Sequence, residues 1–221
     1  MTAPVEFMGL EFETTADVLI PRAETELLAR TALGLLAEMS VPAPYVVDMC
    51  CGSGNLACSL AHAAPAVRVW ASDLTDACVA LARRNVERLG LAERVQVRQG
   101  DLFAGLAGDG LEGRADLVVC NPPYISTGRL GGESAHLLEG QPREAFDAGP
   151  YGLTIHKRVI NEAPRFLRPG GFLAMEIGLG QEKQIDHLFS RAPMFEMPRR
   201  FNDANGAPRV VVARVTTSRV E

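Results

Sequence analysis

The sequence predicts an α/β fold: a mostly parallel seven-stranded sheet with helices on both faces and a C-terminal antiparallel hairpin. Three observations predict it. Short apolar runs alternate with longer segments of helical spacing, the pattern of repeated β-α units. The glycine turn Gly52-Ser53-Gly54 stands between the first core run and a helix. Two final segments, 195–201 and 210–215, joined near Asn205-Gly206, read as a hairpin.

The elements follow in order. Leu10-Glu11-Phe12-Glu13 alternates, Val18-Leu19-Ile20 follows, and Pro21 breaks the run. Residues 24–37 place Leu27, Leu28, Ala32, Leu35 and Leu36 on one side of a helix, ended by Pro42 and Pro44. Tyr45-Val46-Val47 is a buried strand leading into Asp48. A helix over 55–64 is stopped by Pro65, a strand spans 67–72, and a helix over 75–89 ends at Gly90. Strands at 95–98, ending near Asp101, and at 115–120 come next. Residues 125–152 are glycine-rich and aperiodic, and loops of that length are usually functional or disordered. A helix over 154–167, the turn Arg168-Pro169-Gly170-Gly171, a strand at 172–177 and a helix over 181–189 precede the hairpin. The division is an N-terminal segment with the first helix, 1–40, packed on a core domain, 41–221.

Composition excludes several classes. At 221 residues, 47% hydrophobic and 22% charged, the chain fits one globular domain with a substantial core. Its longest apolar runs are too short to span a bilayer, and residues 1–6 lack the basic and apolar regions of a signal peptide. Five cysteines (Cys50, Cys51, Cys58, Cys78, Cys120) show no pairing or metal-ligand spacing, which predicts reduced thiols, no metal site and a cytoplasmic setting. A net charge of −5 and isolated doublets Arg83-Arg84 and Arg199-Arg200 argue against a nucleic-acid track.

The chemistry gathers at strand ends, where open α/β sheets bind ligands. Asp48 to Gly54 reads Asp-Met-Cys-Cys-Gly-Ser-Gly, and Asn55 opens a helix whose N-terminus offers free N–H groups. Ala57 stands where a third glycine would mark a dinucleotide turn. Asp73, with Leu74 beside it, ends the second strand, where a carboxylate suits both hydroxyls of a ribose; it could equally cap the next helix. Asp101, past the third strand, could accept from an adenine amino group with Leu102 beside the ring, or be a turn residue. At the fourth strand end stands Asn121-Pro122-Pro123-Tyr124, whose proline-locked carbonyls and amide suit a flat –NH2 group. Together these residues fit S-adenosylmethionine, with S-adenosylhomocysteine as product.

The chain resembles the HemK/PrmC family of class I methyltransferases, whose sheet is Rossmann-like and whose best-known members methylate the glutamine of the Gly-Gly-Gln motif in peptide release factors. Val18-Leu19-Ile20-Pro21-Arg22-Ala23-Glu24-Thr25-Glu26 looks like the family's signature segment, Asp48 to Gly54 its cofactor loop, and Asn121-Pro122-Pro123-Tyr124 its catalytic motif. Gln141-Pro142-Arg143-Glu144-Ala145-Phe146 with Gly152-Leu153 resembles its substrate-side loop. Bacterial members usually carry a helical docking domain before the signature, which here begins at Val18, so that domain is expected to be absent. Cys50 replaces the usual first loop glycine, His156 a common aromatic, and Ala148-Gly149-Pro150 a more typical Gly-Gly-Xaa-Asp.

The resemblance implies cofactor contacts from Asp48, Cys50, Gly52, Gly54, Asn55, Asp73, Leu74, Asp101, Leu102 and Asn121, and catalytic roles for Asn121, Pro122 and Tyr124. It implies acceptor contacts from Pro122, Pro123 and Tyr124, with Arg22 and Glu24 either bordering the site or simply opening a helix, and Glu176 supporting it from behind. The leading acceptor is a release-factor glutamine. A small-molecule or peptide amine or amide comes second, and a nucleic-acid base or a catalytically silent subunit trails.

Overall fold

The computed structural model describes residues 3–123 and 152–217. Its first element is a small hairpin, of which the sequence pattern indicated only the second arm. Strands β1 (Val5–Phe7) and β2 (Leu10–Phe12) pair antiparallel across Met8-Gly9. Both turn residues have positive φ (52° and 76°), the handedness that matches the twist of two-residue hairpins. Phe7 and Phe12 are buried and meet edge to face at 6.2 Å. Val18-Leu19-Ile20 forms no strand. A short 3₁₀ turn, Ala23–Thr25, leads into α1 (Glu26–Glu38), which buries Leu28, Ala29, Ala32, Leu35 and Leu36.

The alternating units follow: β3 (Tyr45–Met49), α2 (Asn55–Ala63), β4 (Arg68–Asp73), α3 (Asp76–Arg88), β5 (Val95–Gln99) and β6 (Ala115–Cys120). After the loop come α4 (Thr154–Phe166), β7 (Leu167–Glu176), α5 (Glu182–Ser190), β8 (Arg199–Asn202) and β9 (Pro208–Arg214). The seven-stranded sheet has the order β5-β4-β3-β6-β7-β9-β8, with β9 antiparallel between β7 and β8 and the other pairs parallel. The expected fold class is the observed one. Helices lie on both faces: Val46 points into a core shared with α1, α2 and α3, while Val47 points into one shared with α4 and α5.

The strand order reverses between β3 and β6, so a crevice opens past their carboxyl ends. Met49 and Cys120 are register partners there. Cys50 and Asn121, the next residues on each chain, therefore leave the sheet side by side.

One expectation is corrected. The turn Arg168-Pro169-Gly170-Gly171 lies inside β7 rather than before it. Ala115 pairs with Leu167 and Leu117 with Phe172, so four residues bulge opposite Asp116 alone. A Cβ on Gly171 would come within 3.0–3.2 Å of the carbonyls of Arg168, Ala115 and Asp116, so only glycine fits that bulge. Asp116 holds it by accepting from Arg168 Nε and from the Tyr45 N–H (2.8 Å). The final hairpin is shorter than expected at its first arm, where Phe195 touches Val215 only through an isolated bridge. Tyr124, the segment 141–146 and Ala148-Gly149-Pro150 lie outside the described residues.

Candidate active site

The glycine loop is shaped by backbone conformations that few side chains adopt. Cys50, Gly52 and Gly54 have φ of 58°, 55° and 77°. At Gly54 a Cβ would also meet Ala82 Cβ at 3.2 Å, so both the turn and the close packing of α2 on α3 require glycine. Cys50 takes its left-handed conformation despite carrying a side chain, at a cost of about 1–2 kcal/mol.

Two carboxylates hold this loop from beneath. Asp73, half-buried at the end of β4, accepts from the Gly52 N–H (2.9 Å) and the Thr75 N–H (3.3 Å). It is not the helix cap: Thr75 caps α3, its hydroxyl accepting from the Cys78 N–H at 3.2 Å. Asp48 is fully buried, and its Oδ2 accepts from the Ala57 N–H in the first turn of α2 (3.0 Å). Its Oδ1 has no partner among the described residues. Burial pushes the Asp48 carboxyl up to about 8; the Ala57 N–H opposes this, and the charge of Asp73 adds to it.

Asn85 is a member of this side that the sequence pattern does not reveal. Fully buried on α3, it donates to the Ser53 and Glu13 carbonyls (3.0 and 3.2 Å) and accepts from the Glu13 N–H (2.8 Å). One side chain ties the N-terminal segment to the glycine loop.

The other expected cofactor residues divide. Asn55 opens α2 and accepts from the Ser53 hydroxyl at 3.3 Å. Leu74 is 63% exposed at the rim, whereas Leu102 is buried with a positive φ of 51°. Both Asp101 carboxylate oxygens are engaged by Arg158 (2.8 and 3.0 Å), so an incoming amino group would have to share them.

Asn121 is half-buried past the end of β6, followed by buried Pro122 and half-buried Pro123. Its Nδ2 donates to Thr25 Oγ1 (3.1 Å), and the Thr25 hydroxyl donates to Glu176 Oε2 (2.8 Å). Glu176 closes β7 and faces Arg209 Nη2 at 3.6 Å, while Arg209 Nε donates to the Ile177 carbonyl (3.2 Å). Burial lifts the Glu176 carboxyl above the usual range; the Thr25 hydroxyl and the Arg209 guanidinium pull it back. Arg22 and Glu24 lie near enough to act on it with opposite signs, Glu24 exposed and Arg22 half-buried. His156, fully buried on α4, donates from Nε2 to the Glu176 carbonyl (3.0 Å), since a carbonyl can only accept. Burial pushes that imidazole down to about 4, so it is neutral.

Sequence reading singled out Asn121 and Glu176 but attached no role to Thr25, which joins them. Only its place inside the Arg-Ala-Glu-Thr-Glu segment marked it.

Among the described residues no helix is long and apolar enough to cross a membrane, and no cluster of His, Cys, Asp and Glu could hold a metal ion. The five cysteines are free thiols. Burial and a hydrogen bond with Cys50 raise the Cys120 thiol well above its ordinary pKa.

The family model described as "Methyltransferase small domain" matches residues 26–139. The chain is 39% identical over 214 residues to the release factor glutamine methyltransferase of Moorella thermoacetica, covering 96% of this chain and 73% of that protein. It is also 39% identical over 186 residues to the 4-amino-L-phenylalanine/4-methylamino-L-phenylalanine methyltransferase of Streptomyces pristinaespiralis, covering 83% and 61% respectively. Among solved structures, the release factor-specific protein-(glutamine-N5) methyltransferase of Alicyclobacillus acidocaldarius superposes with a TM-score of 0.53 at 29% identity, covering 93% of this chain and 99% of that one. Enzymes of this class use S-adenosylmethionine. The chain belongs to the methyltransferase small domain family and, within it, to the release factor glutamine methyltransferases.

Proposed function

We propose that the protein transfers a methyl group from S-adenosylmethionine to the side-chain amide nitrogen of a glutamine, that of the Gly-Gly-Gln motif of a peptide release factor, in the cytoplasm. The observation that carries this reading is Asn121-Pro122, leaving the sheet beside the glycine loop at the point where the strand order reverses.

The residues present fit the cofactor. The unpartnered Asp48 Oδ1, with the Asp73 carboxylate close by, suits a ligand that carries positive charge, as an ammonium and a sulfonium do, since such a charge would favour ionised Asp48. Asp73 keeps lone pairs for ribose hydroxyls after accepting from Gly52 and Thr75, because each carboxylate oxygen accepts more than once. Gly52, Gly54 and Asn55 let the backbone approach, Leu74 and Leu102 offer apolar cover, and Asp101 offers an acceptor for an adenine amino group. When bound, S-adenosylmethionine supplies an electrophilic methyl group on a sulfonium that loses its charge on transfer.

What the protein must do is hold a poor nucleophile. An amide lone pair is delocalised into its carbonyl, so the nitrogen reacts only when aligned. Asn121 Oδ1 and the Pro122 carbonyl accept its two N–H bonds and fix its direction. Positioning of this kind supplies up to about 7–11 kcal/mol in favourable cases. No general base is needed beforehand, because transfer of the methyl from sulfur to nitrogen acidifies the N–H, whose proton then passes to solvent water. Tyr124, in the segment outside the described residues, would cover the planar group, with Pro123 and Arg22 bordering it.

A second reading is favoured by the Streptomyces pristinaespiralis relative, whose name gives an aromatic amine as its acceptor. An aryl –NH2 is flat and carries two N–H bonds, so the same pair of acceptors would serve it. Incubation with S-adenosylmethionine and either a release factor or 4-amino-L-phenylalanine, read by mass spectrometry, separates the two. A methyl group on the Gly-Gly-Gln glutamine supports the first; transfer only to the free amine replaces it with the second.

A further inference from the structure

We infer that Thr25 is a positioning residue whose hydroxyl, held by Glu176, decides which end of the Asn121 amide is offered to the methyl acceptor. The inference rests on the reading of Asn121 as the group that accepts the N–H bonds of the acceptor.

The chain of donors and acceptors runs one way. An ionised carboxylate has no hydrogen to give, so Glu176 Oε2, at 2.8 Å, can only accept from Thr25. A hydroxyl has one hydrogen, and that bond uses it. What Thr25 presents to Asn121 is therefore a lone pair, and an amide can meet a lone pair only with its nitrogen. The Asn121 Nδ2 at 3.1 Å from Thr25 Oγ1 is the outcome. Oδ1 is thereby turned away from Thr25, and among the described residues it has no hydrogen-bond partner.

Reversal of the amide would be fatal to the reaction. It would set two N–H donors of Asn121 against the N–H donors of the acceptor, which repel rather than bind. The two orientations of a free amide differ little in energy, so something must choose between them. The choice is made out of solvent: Thr25 and Glu176 are 3% and 2% exposed. Arg209, nearly buried and 3.6 Å from Glu176, favours the charged form of that carboxyl from the opposite side, against the burial that raises it. The network is fixed at its far end by backbone, through Arg209 on the Ile177 carbonyl and His156 on the Glu176 carbonyl. Three parts of the chain remote in sequence thus converge to set one torsion.

The deciding variant is Thr25→Val, which keeps the branched shape and removes the hydroxyl. It is assayed beside the native chain, Asn121→Ala, Thr25→Ser and the Thr25→Val/Asn121→Ala double variant, with whichever of the two acceptors the native chain methylates. Thr25→Val is expected to lower kcat about 10- to 100-fold, the scale of a misplaced reacting group. The KM for S-adenosylmethionine and its calorimetric Kd should stay within about twofold, as the glycine loop is untouched. Thr25→Ser should restore turnover, and the double variant should be no slower than Asn121→Ala alone.

Native kcat in Thr25→Val overturns the inference while leaving the assignment of Asn121 in place. So does a double variant in which the two losses multiply. Full activity in Asn121→Ala removes that assignment and the inference with it. Should Thr25→Val fail to fold, Thr25→Ala is judged by the same criteria.

Discussion

The two halves of the crevice are held in different ways. On the β3-β4 side, carboxylates grip backbone N–H groups over short stretches of chain: Asp48 to Ala57 spans 9 residues and Asp73 to Gly52 spans 21. On the β6-β7 side, side chains grip side chains across most of the protein: Asn121 to Thr25 spans 96 residues and Thr25 to Glu176 spans 151. The first arrangement fixes a shape, since glycine conformations and backbone donors build a cradle. The second fixes an orientation, since each member has several ways to bond and the network selects one. A cradle tolerates modest changes to any one side chain, whereas an orientation fails when a single link is removed.

The sharpest way to break this contrast is at the amide itself. Asn121→Ala should cut kcat by about 10²- to 10³-fold, the scale of losing one preorganised group. The Kd for S-adenosylmethionine should barely move; equal losses in kcat and cofactor affinity would merge the two halves into one. Next comes Gly54→Ala. Its φ of 77° and the 3.2 Å approach to Ala82 predict a loss of about 1–3 kcal/mol in urea denaturation, with weakened cofactor binding. If stability falls while cofactor affinity is unchanged, the loop is scaffold rather than cradle.

A pH series separates the halves by their buried titratable groups. The folded Asp48 keeps its proton to about 8, whereas an unfolded aspartate loses it near 3.8. The folded state therefore binds more protons between these values, and stability falls as pH rises toward 8. Burial of Glu176, which raises its carboxyl, contributes with the same sign. His156 acts oppositely, from about 4 to 6.5, because its folded form refuses a proton that the unfolded chain takes up. Above pH 6.5 that opposition ends. Unfolding free energy should drop by about 1–2 kcal/mol from pH 6.5 to 8, within the ceiling of about 1.4 kcal/mol per unit for one proton. Asp48→Asn should remove most of this drop. The smallest expected effect is Cys50→Gly, a gain of about 1 kcal/mol in stability from relief of a left-handed side chain. No gain there would mean that the Cys50–Cys120 contact offsets the strain.

The same division explains what could be read from the sequence. Strand ends, the glycine loop, Asp48, Asp73 and Asn121 are local features, each visible as an apolar run followed by a polar or glycine residue. The seven strands and their covering helices followed from that periodicity. What escaped was non-local or lacked contrast. Thr25 looks like one more residue in the first turn of a helix, and Asn85 sits within an otherwise unremarkable amphipathic stretch. The β7 bulge misled because Arg168-Pro169-Gly170-Gly171 has turn chemistry, and only pairing with β6 makes it part of a strand. The Met8-Gly9 hairpin was missed because each arm is just three residues long, too short for alternation to mark a strand pair.

The reach from Thr25 to Glu176 also bears on how the protein is made. Synthesis at about 5–20 residues per second puts roughly 8–30 s between the appearance of these two residues. Through that interval a growing chain already contains the partners of Asp48 and Asp73, which all lie within the first 75 residues. Asn121 arrives with its proline-stiffened tail but no fixed partner, because Thr25 has nothing yet to give its hydrogen to. The ribosome thus delivers the partners of the cradle first and those that orient the amide almost last, so a chain stalled before Glu176 has no means of aiming its chemistry.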